Sequence, residues 1–284
     1  MAMPAAVVLC FPVAISAWYF KVSILIQLAM QLNYLFGIEY HVDSLIGSKK
    51  EVGYQNALRV SVSLLVFLLA YFFYPITLSL IDLLVFLFYI CCSEIYSNFR
   101  FSMVVRGEFS GGATHAFLLS AVPFFSAVIF RNLLGVLLAQ SLSLLLLAVL
   151  LAQGGVGLLR VPSRGWISDF AGRVNLAAPA IWGVTRFDRL ALPVLGAHLA
   201  DGYMVAGAVS DALFGTLRQA QFMSRSGDYV RMFAFGVAIW LVCTAILGFI
   251  KGFEWDHMFF LPPVMQLLAA FLVVWSLRKK GKGQ

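Results

Sequence analysis

Apolar runs of about 17 to 23 residues recur along the whole chain, and short segments between them hold nearly all of its charge. A helix rises about 1.5 Å per residue, so each run is long enough to cross about 30 Å of hydrocarbon. The backbone of such a run satisfies its own hydrogen bonds only as a helix. The chain has 284 residues, of which 62% are hydrophobic and 12% charged. Soluble domains lie nearer half and a quarter, and one core of this size could not bury so much apolar surface. The pattern predicts an all-α integral membrane protein. No small-residue cleavage site separates the first run from the second, so the first run is expected to stay as a span.

The runs place about ten spans, near 4–20, 23–40, 58–75, 76–98, 116–131, 132–153, 175–198, 203–223, 232–250 and 259–277. Orientation follows from the positive-inside bias. With both ends inside, the loops on one side hold fifteen Lys and Arg, from Lys49, Lys50 and Arg59 to the tail of Arg278, Lys279, Lys280 and Lys282. The other side holds three, Lys21, Arg131 and Lys251. One missed span would scramble that alternation, so the expected topology is N-in and C-in. The stretch 154–174 is rich in Gly and Arg and reads as a cytoplasmic linker. It divides a six-helix lobe (1–153) from a four-helix lobe (175–284).

The net charge of +7 does not point to nucleic acid, because it is spread over loops rather than gathered in a patch or arm. The four cysteines have no ligand or redox spacing, and the four histidines fall at span ends or in loops. No HExxH, no nucleophile triad and no phosphate-cradling loop is present in the sequence. The expectation is a non-enzymatic protein with no cofactor and no metal.

Two cations escape the loop pattern. Arg186 and Arg189 lie within the seventh run, with Asp188 between them. Arg186 is about eleven residues from the run's start, or about 16 Å deep as a helix. Ionisable groups there cost a few kcal/mol unless they meet water, a partner or a ligand. At a spacing of three, the two arginines share a helix face, and Asp188 flanks it. Asp211 in the eighth run sits at similar depth and is a plausible partner. These charges either pin two helices together or line a cationic cavity for an anionic headgroup, and the guanidinium fork suits phosphate oxygens. Gln27, Gln31 and Tyr34 share one face of the second run and would line a cavity or bond a neighbouring helix. Asp188 and Asp211 are candidate ion-coupling groups, and Asp82 in the fourth run either joins them or reaches the interface.

The segment DRLALPVLGAHLADGYMVAGAVSDAL, from Asp188 to Leu213, resembles the opening of the second lobe of the O-antigen and polysaccharide (Wzx-like) flippases. These belong to the multidrug/oligosaccharidyl-lipid/polysaccharide exporter superfamily. In them an Asp followed by Arg or Lys precedes a Gly- and Tyr-bearing turn, matched here by Asp188, Arg189, Gly196, Gly202 and Tyr203. The segments LNYLFGIEYHVDSLIGSKKEVGYQNALRV and SNFRFSMVVRGEF are similar to the family's second-helix end and fourth-helix end. The resemblance implies transport of a lipid-diphosphate-linked glycan across the bacterial cytoplasmic membrane by alternating access. It implies that Arg186 and Arg189 attract the diphosphate, and that an aspartate couples to H⁺ or Na⁺. The family has twelve or more helices, so a homodimer or a partner subunit would complete the second lobe.

Two other readings fit the span count. A ten-helix drug/metabolite-type transporter should show a five-plus-five repeat, and none is visible in the sequence. A non-catalytic membrane subunit of an envelope assembly complex would not need two arginines at the midplane.

Overall fold

A computed structural model describes residues 2–35, 49–105, 112–152, 158–161, 182–195, 199–224, 229–252, 261–266 and 268. Every regular element among them is helical. The helices are α1 (Ala2–Cys10), α2 (Val13–Leu35), α3 (Lys49–Phe73), α4 (Leu80–Val105), α5 (Gly112–Phe130), α6 (Leu133–Leu151), α7 (Phe187–Val194), α8 (Asp201–Ser224) and α9 (Tyr229–Lys251). Four contain a stretch long and apolar enough to cross a membrane: Val13–Gln31, Val52–Phe73, Leu80–Arg100 and Leu133–Leu151. Phe117–Phe130 and Phe235–Lys251 are shorter apolar helices. The protein is therefore all-helical and fits a membrane protein.

α6 shows the physical basis. Val136, Leu137, Leu144, Leu147 and Ala148 are buried, while Leu138, Leu142, Leu146, Val149 and Leu150 are exposed. A helix apolar on every side gains from burial against protein on one face and lipid on the other.

The chain forms two compact units. The first comprises Met1–Cys10 and Leu25–Pro179, and the second comprises Phe11–Ile24 and Ala180–Gln284. α2 therefore contributes its first half to the second unit and its second half to the first. In the first unit α4 packs on α3 and α6, and α5 packs on α1 and α6. Its core gathers Val52 and Val60 of α3, Cys92, Ile95, Tyr96 and Phe99 of α4, and Leu144, Leu147 and Ala148 of α6. In the second unit α8 packs on α9, where Trp240 is buried and its Nε1 donates to the Ala206 carbonyl at 3.1 Å.

Several boundaries differ from the sequence expectation. The first break falls at Phe11–Pro12 rather than beside Lys21. Proline lacks the amide proton and disfavours helix in the residue before it, so it outranks a lone cation as a breaker. α1 is nine residues, about 13 Å, and is too short to span. Lys21 lies inside α2 and faces Asp201 at 3.9 Å, in the first turn of α8. Lys251, the last residue of α9, donates to the Phe11 carbonyl at 3.0 Å.

α3 begins at Lys49, nine residues before the expected edge, so Arg59 is helical and buried instead of in a loop. Its Nε donates to Glu94 Oε2 at 2.8 Å, and Ser63 Oγ donates to Glu94 Oε1 at 2.7 Å. Glu94 is 0% exposed. One turn on, Asn98 donates to Asn56 Oδ1 at 2.7 Å, and Asn56 donates to the Leu158 carbonyl at 2.8 Å.

The seventh run is also different. Residues 182–185 form one helical turn, the backbone breaks at Arg186 (φ −128°, ψ 10°), and α7 runs only from Phe187 to Val194. At eight residues, about 12 Å, α7 does not cross a membrane. Residues 175–181 and 196–198 of that run, and most of the tenth run, lie outside the described residues.

Asp82 is not several turns into its helix. It stands in the first turn of α4 and accepts from the Ser79 backbone N–H at 2.9 Å, while Ser79 Oγ accepts from the Asp82 N–H at 3.1 Å. This reciprocal pair satisfies two helix-start donors. Replacing Asp82 with Ala is expected to lower stability by about 1 kcal/mol, within the usual cost of a lost cap. Thermal unfolding of the purified protein in detergent measures it.

Candidate functional site

Among the described residues the second unit holds a cluster of four charges, with Arg186, Asp188 and Arg189 buried and Asp211 part-buried, built around the break in the seventh run. The break leaves the Thr185 carbonyl near the start of α7, and Arg189 Nη2 donates to it at 3.1 Å. Thr185 Oγ1 donates back to the Trp182 carbonyl at 2.8 Å and accepts from Arg186 Nη1 at 2.8 Å. Arg186 lies over the Trp182 ring, with its Cζ 5.0 Å from the centroid. Cation and ring attract there more strongly than in water.

α8 supplies the counter-charge. Arg189 is 1% exposed and grips Asp211 with both nitrogens, Nη2 to Oδ1 at 2.9 Å and Nη1 to Oδ2 at 3.0 Å. This bidentate fork is the strong form of the pair. Arg186 approaches the same carboxylate, with Nε 3.2 Å from Oδ2. Gln266, in the helical turn 261–266, donates its Nε2 to Asp211 Oδ1 at 3.0 Å. Asp211 is thus a hub for three side chains.

Asp188, also 1% exposed, faces another way. Its Oδ2 accepts from the Tyr203 hydroxyl and lies 3.6 Å from Arg189 Nε. With all four groups ionised, two cations balance two anions and the cluster is neutral. Neutrality and mutual pairing are what permit four charges to stay buried or part-buried.

Gly207 makes room for this. A Cβ there would lie 2.7 Å from Arg189 Nη1 and 2.8 Å from its Cδ. The guanidinium is pinned by Asp211, one turn along the same helix, and cannot withdraw. Gly207→Ala is expected to cost about 1–3 kcal/mol as an overpacked site. It should lower the melting temperature of purified protein, whereas Gly183→Ala, where a Cβ meets nothing within 4 Å, should not strain packing.

The structure brings together Arg186, Arg189, Asp188 and Asp211, four of the residues singled out in the sequence. It does not bring the others to them. Gln27 and Gln31 are half-buried on the part of α2 that belongs to the first unit, and Asp82 caps α4 in that unit. The side chain of Tyr34 lies outside the described residues. Sequence reasoning missed Trp182, Thr185, Gly207 and Gln266 as members of the cluster. Only Gly207 carried a signal, since it precedes Asp211 by one helical turn. Among the described residues no group of three or more His, Cys, Asp or Glu could hold a metal ion.

No known protein family, curated protein or solved structure matches this chain.

Proposed function

We propose that the protein is a multi-pass transporter of the bacterial cytoplasmic membrane. In this reading it carries an anionic, lipid-linked glycan across the bilayer by alternating access. The Asp188–Arg189 segment supports it, since it resembles the flippases that handle lipid-diphosphate-linked glycans.

The observation that carries the reading is the unequal sharing of Asp211. Arg189 holds it through two hydrogen bonds, whereas Arg186 Nε approaches Oδ2 at 3.2 Å as an ion pair without hydrogen-bond geometry. A phosphate oxygen therefore exchanges most readily with the Asp211 oxygen at Arg186. In this scheme Arg189 braces Asp211, and Arg186 receives the headgroup. Trp182 offers a flat apolar face beside the cation.

A second reading rests on the complete pairing of the four charges. A membrane subunit of an envelope assembly complex could use the same cluster only to join α7, α8 and the 261–266 turn. The two readings separate at Arg186. Arg186→Gln is expected to abolish most glycan export at unchanged protein level if Arg186 receives substrate. Normal export by the variant would favour the scaffold.

A further inference from the structure

We infer that Trp182 and Gln266 are two further ligand-binding residues of this cluster, with Trp182 Nε1 a second donor to a phosphate oxygen and Gln266 Oε1 an acceptor from a hydroxyl beside that phosphate. The inference rests on the anion-binding reading above and narrows the ligand to a phosphate ester that carries a free hydroxyl.

Both side chains belong to the second unit and are more than nine-tenths buried, at 7% and 2% exposed. Each keeps one buried polar atom with no hydrogen-bond partner among the described residues, Trp182 Nε1 and Gln266 Oε1. A buried donor or acceptor left unpaired is costly, and native proteins leave few of them. Another buried indole of this unit shows the usual solution, since Trp240 Nε1 donates to the Ala206 carbonyl at 3.1 Å. An indole offers one N–H and no acceptor, so an acceptor is what completes Trp182. Gln266 is the opposite case. Its Nε2 donates to Asp211 Oδ1 at 3.0 Å, and a carboxylate only accepts. That bond sets which way the amide points and leaves Oε1 as the open acceptor.

The two atoms stand at opposite ends of one chain of contacts. Trp182 lies under Arg186, whose Cζ is 5.0 Å from the ring centroid. Arg186 Nε is 3.2 Å from Asp211 Oδ2, and Asp211 Oδ1 holds Gln266. An anion that exchanges with Asp211 at Arg186 therefore enters the middle of this chain. One step along it on one side is a spare donor, and one step on the other is a spare acceptor. Phosphate oxygens satisfy the indole N–H and leave Oε1 unmet. A hydroxyl close to the phosphate supplies the missing donor. Sugar phosphates have this chemistry, and so do the glycerophosphate headgroups of lipids.

The test uses the full-length purified protein in detergent and four phosphate esters in two matched pairs. Glucosyl phosphate is set against cyclohexyl phosphate, and glycerol phosphate against propyl phosphate, so each pair differs in its hydroxyls. In calorimetric titration, wild type is expected to bind the hydroxylated member of at least one pair about tenfold more tightly, the scale of leaving a buried acceptor unmet. The pair with the larger preference names the source, a sugar phosphate or a lipid headgroup. Gln266→Met is expected to bind both members of that pair equally. If it does not fold, Gln266→Asn, shorter by one methylene, should do the same. Isotope labelling of the indole nitrogens reads Trp182 by magnetic resonance. Its N–H signal, assigned by its loss in Trp182→Phe or, if that does not fold, Trp182→Tyr, is expected to move downfield as an ester binds, while that of Trp240 holds. Binding by wild type without preference in either pair overturns the role of Gln266, as does a full preference in the folded Gln266 variant. An unmoved Trp182 signal overturns the role of Trp182. In each of these cases the anion site stands. Absence of binding of all four esters by wild type overturns the anion site and this inference with it.

Discussion

Arg189→Leu is expected to destabilise the protein by about 3–5 kcal/mol, the largest stability loss of any single change considered. The side chain is buried, and its removal strips Asp211 of two hydrogen bonds and Asp188 of its nearest cation. The cluster then carries a net negative charge with Arg186 as its only cation. Asp211→Leu should cost a similar amount, for the opposite charge. The double variant Arg189→Leu/Asp211→Leu is expected to regain most of the loss, because Arg186 and Asp188 still balance and two leucines fill apolar space. Replacing a buried pair by hydrophobic groups is often neutral or stabilising, whereas removing one partner is not. Thermal unfolding in detergent of the two single variants and the double variant measures this. A loss in the double variant equal to the sum of the two single losses would show that the pair is not coupled. Recovered stability without recovered transport is the expected outcome for the double variant, since Arg186 has lost the carboxylate with which substrate exchanges.

Arg186→Gln is expected to reduce glycan export by about tenfold or more, the scale of one lost hydrogen bond to a charged group. Its effect on stability should be smaller than that of Arg189→Leu. Arg186 contributes one contact to Asp211, one to Thr185 and a face to Trp182, while Arg189 retains Asp211. Gln keeps a polar side chain of moderate length but no charge. Arg186→Lys separates charge from shape. An ammonium group keeps the attraction for phosphate but loses the planar fork and its stacking on Trp182, so export should be intermediate. Export in cells, normalised to the amount of protein in the membrane, checks both variants.

Much of the site could be read before the structure, for one physical reason. A charge in an apolar run is costly, so Arg186, Arg189, Asp188 and Asp211 stood out, and the pairing with Asp211 followed from depth alone. Their detailed arrangement was not readable. The segment TRFDRL has neither Gly nor Pro at the break, so nothing local announces that the helix interrupts at Arg186. The Tyr203–Asp188 bond joins residues fifteen apart on two helices, a spacing that no helical periodicity links.

The errors elsewhere share a cause, the use of charges as punctuation. Lys21 was taken as a boundary, while Pro12 ends the helix and Lys21 finds Asp201. Arg59 was assigned to a loop, yet it pairs with Glu94 inside the first unit. That pairing did leave a trace. Asn56, Arg59 and Ser63 share one face of α3 at helical spacing, and Glu94 and Asn98 lie four apart on α4, giving two polar stripes that bond to each other. Asp82, open in the sequence between an ion-coupling acid and a group at the interface, stands in the cap of a helix that starts at Leu80.

The claim that Arg186 receives the anionic headgroup is tested most directly outside the cell. Purified protein is reconstituted into vesicles with a fluorescent polyprenyl-diphosphate-linked sugar, and movement of the label between leaflets is followed. Wild type should move it, and Arg186→Gln, with an unfolding temperature close to wild type, should move it at a tenth of that rate or less. Equal rates for the two proteins would contradict the account.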